Sequence, residues 1–141
     1  MLLSVMERIL LLNSVLPREG SFNNLKLLRK ARESLSFTED ENELLNFREE
    51  GNGQIIWNNF AYRDKETGKT LDIASEFSMK LAEKNPERFE KILPAVPEKD
   101  IEIGATVMGI IAKSMKDMDR KEKLTENHYS LYEKFVDTEK E

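Results

Sequence analysis

The sequence predicts an α+β fold that is predominantly helical: five or six helices around a central helix, with one or two β-hairpins on an edge. Three observations carry that prediction. Across 101–118, Val107, Met108, Ile111, Met115 and Met118 recur at helical spacing while Lys113, Lys116 and Asp117 fall between them, which makes one face apolar and the other wet. Between Phe47 and Asn58, the run Glu50-Gly51-Asn52-Gly53 separates two short stretches and reads as a hairpin turn. Upstream of both, Pro17 marks a helix stop and Thr38 a helix start, so the first third of the chain divides into short helices.

In chain order, Ser4 caps a first helix through about Leu16, carrying Ile9, Leu10 and Leu12. It ends there because a residue before proline disfavours the α region. A second helix from Phe22 or Asn23 to Leu35 is expected to bury Phe22, Leu25 and Leu28, with Ala31 beside them. Thr38 and Glu41 form a capping box for a short third helix through Leu45, each side chain satisfying a free backbone N–H of the other. After the first hairpin, the polar run 64–69 is the tip of a second, between Ala61-Tyr62 and Thr70-Leu71. Ile73, Phe77, Leu81 and Ala82 suit a helix that stops near Asn85-Pro86, and Phe89, Ile92 and Leu93 suggest another turn or two of helix. Ile101-Glu102-Ile103 alternates like a strand, and Gly104 moves the start of the main helix to Ala105 or Thr106. Thr125 caps a last helix with His128, Leu131, Tyr132 and Phe135 close to one face.

With 141 residues, 39% of them hydrophobic, the chain reads as a single domain, 1–141, with 59–98 as an inserted arm. A formal net charge of −5 gives no general attraction to nucleic acid or to an anionic membrane. The lack of cysteine removes disulfides, thiolate nucleophiles and the usual structural zinc sites, and a single histidine removes an imidazole-rich metal site. The apolar N-terminal stretch is broken by Glu7 and Arg8 and lacks a basic leader or a cleavage pattern. It reads as a buried amphipathic helix of a soluble, intracellular protein rather than a signal or span.

No catalytic constellation is visible, so no enzymatic activity, cofactor or metal is expected. Gly68-Lys69-Thr70 resembles the end of a phosphate-binding loop, but Arg63 stands where the motif requires a glycine, and a hairpin tip explains the run. His128 falls on an apolar helix face, where a packed, hydrogen-bonded imidazole is the simpler reading. The acids Glu39, Asp40, Glu41, Glu43, Glu49 and Glu50 have no calcium-loop spacing. Three helices and a hairpin suit a winged-helix order, yet the acidic third helix would be repelled by DNA.

Two surfaces remain. Trp57, Phe60 and Tyr62 cluster where the first hairpin meets the arm and are either a cover for the core or a protein-binding patch. Lys26, Arg29 and Lys30, with Arg32, give the second helix the only concentrated positive charge, either simply solvated or reaching the phosphate of a nucleotide-like ligand. The methionine-rich stripe also suits a homo-oligomer as well as a monomer core.

Several segments, 6–13 (MERILLLN), 16–20 (LPREG) and 35–39 (LSFTE) closing at Trp57, then 99–104 (KDIEIG), 123–125 (KLT) and 128–135 (HYSLYEKF), resemble an uncharacterised family of small bacteriophage and prophage proteins. The resemblance implies a small accessory protein in the cytoplasm of a bacterial host. It makes 59–98 extra relative to shorter relatives and places a start near Met6, with 1–5 as an extension. The leading expectation is therefore a non-enzymatic protein that binds and modulates a host protein, a defence or gene-expression component, through Trp57, Phe60 and Tyr62. The alternatives are an oligomer sequestering a nucleotide-like signal through Lys26, Arg29 and Lys30, and a DNA-associated accessory protein.

Overall fold

The computed structural model describes residues 1–71, 73 and 75–137. It is α+β: among the described residues there are six α-helices and three small antiparallel sheets. The chain forms two compact units. The first is Met1–Ser36 with Glu98–Glu141, and the second is Phe37–Pro97. The second unit therefore starts well before residue 59, and its local hydrogen bonds give the reason: Asn58 closes on the helix that Thr38 starts, which ties that helix and the first hairpin into the same unit.

In the first unit, β1 (Leu2–Leu3) pairs antiparallel with β7 (Lys99–Asp100), and Leu3 lies fully inside the core. Residues 1–5 are thus part of the fold and not an appendage to it. The expected strand at 101–103 does not form: Ile101 still exchanges backbone hydrogen bonds with Met1, at 2.9 and 3.2 Å, and turns its side chain into the core, but among the described residues no strand pairs with 102–103. Ser4 caps α1 (Val5–Leu10): its Oγ accepts the Glu7 N–H at 3.2 Å, and Glu7 Oε1 accepts the Ser4 N–H at 2.9 Å. The helix does not continue regularly to Leu16 as expected. Leu11–Val15 widens into a π turn, with the Leu16 N–H reaching Leu11 at 3.0 Å, which brings Leu11, Val15 and Leu16 all into the core.

Ser21 caps α2 (Phe22–Leu35), whose inward face is set by Leu28 and Leu35. Phe22 is not buried but 76% exposed. Six residues before Leu28 at roughly 100° per residue, it is turned about 120° off that face. In α5 (Ala105–Arg120), Val107, Ile111 and Met115 are buried, and Met108 and Met118 pack on the same core, as the stripe predicts. Those three buried side chains are enclosed by their own chain. A 3₁₀ turn, Glu126–His128, leads into α6 (Tyr129–Phe135), which adds Leu131 and Phe135.

In the second unit, α3 (Glu39–Leu45) starts at the Thr38–Glu41 capping box and ends on Asn46 in the left-handed region, φ 46°. β2 (Arg48–Glu49) and β3 (Ile55–Ile56) form the predicted hairpin, turning through Gly53 at φ 84°. β4 (Ala61–Asp64) is the middle strand of a three-stranded sheet, between β5 (Thr70–Leu71) and β6 (Phe89–Ile92), and its pairing with β5 is the second predicted hairpin. Helix α4 (Glu76–Lys84) comes next. The helix expected around Phe89 is instead the strand β6 (Phe89–Ile92), registered with β4 from Asp64↔Phe89 to Ala61↔Ile92. Alternation decides it: Phe89 turns inward, while Glu90 turns outward to meet Arg63 across the strands at 2.7 Å.

Candidate functional site

The structure divides the predicted aromatic patch in two. Trp57 lies just after β3, and its ring is 5.9 Å from that of Phe47, which is 5.5 Å from Phe37, so three tilted rings run in series. Phe60 and Tyr62 form a separate edge-to-face pair at 5.8 Å, with the Lys91 ammonium 4.3 Å above the Phe60 ring. All three predicted residues are half-buried. Between the two groups sits a residue that sequence reasoning passed over. Asn58 is buried, donates its Nδ2–H to the Leu44 carbonyl at 3.1 Å and its backbone N–H to Leu45 at 2.7 Å, and accepts from Arg48 at 2.8 Å. Trp57 and Asn58 therefore join α3 to the first hairpin.

Large apolar side chains of this unit face water at Ile55 on β3, 54% exposed, and at three further positions. On α4, Phe77 is 77% and Leu81 38% exposed, one turn apart; Leu93, beyond β6, is 69% exposed. In the second unit a depression of about 490 Å³ is bordered by Asp40, Glu43, Asn46 and Thr70 and is acidic.

Of the predicted cations, Lys26, Arg29 and Lys30 are all exposed on α2, with Lys26 6.0 Å from the Phe22 ring centre. Arg32 is engaged in the fold: its Nη2–H donates to the Pro17 carbonyl at 2.6 Å. Lys30 also borders an open groove of about 370 Å³ floored by Leu27, Ala31, Ile103 and Val107.

Titratable groups are held mainly by structural partners. His128 Nδ1 accepts the Thr125 N–H at 3.0 Å, and burial lowers its pKa below the ordinary 6.5. Glu7 and Arg8, which the sequence offers only as an interruption in an apolar run, are both buried. Arg8 donates Nε–H to the Leu35 carbonyl at 3.0 Å and Nη2–H to Ser36 at 2.7 Å, closing the carbonyl end of α2. Burial alone would raise the Glu7 pKa, but the Lys134 ammonium at 2.8 Å, the Ser4 N–H and the Ser130 hydroxyl together hold it below the usual range. In the second unit, Arg88 grips Asp64 through Nε and Nη2 at 3.1 and 2.9 Å and, against burial, lowers its pKa to about 2. The Glu66 N–H adds to that effect.

Gly68 takes φ 75° at the tip between β4 and β5, and its N–H points back to the Asp64 carbonyl at 2.7 Å, which is hairpin geometry. Among the described residues, no three His, Asp or Glu side chains converge as metal ligands, and no helix is long and apolar enough to cross a membrane. Comparison with protein-family models, curated proteins and solved structures returned no match.

Proposed function

We propose that this chain is a non-enzymatic binding protein that acts by occupying a protein partner from a bacterial host, the host being the one implied by the phage and prophage resemblance. One observation carries the reading: α4 presents Phe77 and Leu81 to water on adjacent turns, 77% and 38% exposed, beside the Lys80–Glu76 ion pair. An aromatic anchor on a short, charged helix suits the centre of a protein interface better than it suits solvent. His128 supports the non-enzymatic side, since its Nδ1 is committed to Thr125 and its ring is shut from water. The half-buried Trp57, Phe60 and Tyr62 then offer at most part of their rings to such a partner.

The test is affinity capture of the tagged full chain from bacterial lysate, run beside Phe77→Asp and Leu81→Asp. Stoichiometric recovery of one host protein by the parent chain, lost in both variants, supports the reading. Equal recovery by all three, or none by the parent, ends it.

A second reading has its own observation. Phe22 stands exposed with Lys26 over its ring and Arg29 on the same side of α2, an arrangement suited to stacking a base and pairing its phosphate. Titration calorimetry with cyclic nucleotides that gives no heat removes it.

A further inference from the structure

We infer that the groove between α2 and the start of α5 docks an acidic amphipathic segment of another protein. Its floor is apolar: Leu27 and Ala31 come from α2, and Ile103 and Val107 from the approach to α5 and its first turn. Leu27 is 41% exposed there although it lies mid-helix. Lys30 stands on the rim, and a second open depression, sharing Leu27 and Lys30 and extended by Lys26 and Asn23, continues along the same helix. The two together form a lane with leucine at its centre and lysines along one side.

Charge selects the occupant. In a chain of net charge −5, the lane carries Lys26 and Lys30 against a single lining carboxylate, Glu102. Glu33, three residues beyond Lys30, shares the lysine side of α2 but lines neither depression. At the α5 end the border is Gly104, which has no side chain to cap the helix, so the first-turn N–H groups add a weak positive field to that of the lysines. A small anion would gain nothing from Leu27 and Ile103, and a duplex would set its phosphates over an apolar floor. A helix with aliphatic side chains on one face and carboxylates along its border satisfies both features at once, as in helix-in-groove recognition. This surface belongs to the first unit and stands whether or not the α4 ridge binds.

The probe is an amphipathic peptide of roughly four turns, with leucines at i, i+4 and i+7 and glutamates flanking them, titrated into the isotope-labelled full chain. A lysine-for-glutamate version and a short DNA duplex are run in parallel. The expected result is saturable shifts at the amides of Leu27, Ala31 and Ile103 with the glutamate peptide. Lys26→Glu/Lys30→Glu weakens it about tenfold and strengthens the lysine peptide, a reversal that misfolding cannot produce. Equal binding of both peptides, shifts outside the lane, binding of the duplex alone, or no saturable shift overturns the inference.

Discussion

His128 holds the backbone of Thr125, three residues earlier: the Thr125 N–H donates to the imidazole Nδ1 at 3.0 Å, and Thr125 Oγ1 lies 2.9 Å from the same nitrogen. An imidazole here does the work of the glutamate usual at the third position of a capping box. The bond requires Nδ1 to be unprotonated, so Nε2 carries the hydrogen, buried and without a partner among the described residues. Because burial lowers the folded-state pKa, the unfolded chain takes up the proton first. Stability is then full above pH 6.5 and declines as pH falls from there through the lower folded value. Urea midpoints measured across that window are expected to fall with pH for the parent and to stay level for His128→Gln, which keeps an acceptor without the titration. A parallel fall in the variant refutes the assignment.

Arg8 and the end of α2 supply a second prediction. Removing the guanidinium leaves the Leu35 and Ser36 carbonyls without a buried donor and opens a void. Arg8→Ala is expected to cost about 3–5 kcal/mol, enough to unfold a marginal unit, whereas the exposed Arg29→Ala stays within about 0.5 kcal/mol. Chemical denaturation followed by far-ultraviolet circular dichroism separates the two.

Asp64 and Arg88 make the second unit acid-sensitive. The carboxyl ordinarily titrates at 3.8 and is lowered to about 2 in the fold, so the contribution of the pair is present above 3.8 and disappears as pH falls toward 2. Asp64→Asn is expected to remove this acid step and to lower the midpoint at neutral pH. Carboxyl titration by nuclear magnetic resonance checks the value directly.

Trp57 and Phe77 are expected to exchange the roles that composition suggests. Trp57→Ala removes a ring packed against Phe47 and is expected to cost about 2 kcal/mol, reduced from a core value because the ring is half-buried. Phe77→Ser is expected to change stability by less than about 0.5 kcal/mol while weakening partner capture. Thermal melts of the two variants distinguish support from surface.

Local chemistry was legible in the residues. The cap at Ser4, the capping box at Thr38, the stop before Pro17, both hairpin turns and the α5 stripe all arise from interactions within about four residues, which a linear reading can see. What failed depended on distant neighbours. Phe89 became a strand because β4 offered an open edge, and Phe22 faced water because Leu28 and Leu35 set the face of α2. Glu7 and Arg8, hydrophilic by type, are buried because Lys134, Ser130 and the end of α2 come from far along the chain to meet them. The candidate surfaces divide in the same way. The residue types were visible as aromatic and basic clusters, but which side chains stay exposed depends on the packing around them. That packing enclosed much of Trp57 and left Phe77, Leu27 and Lys30 facing water. Periodicity is a property of one segment, whereas burial is a property of two segments in contact, so the elements could be read from the chain and the surfaces required the fold.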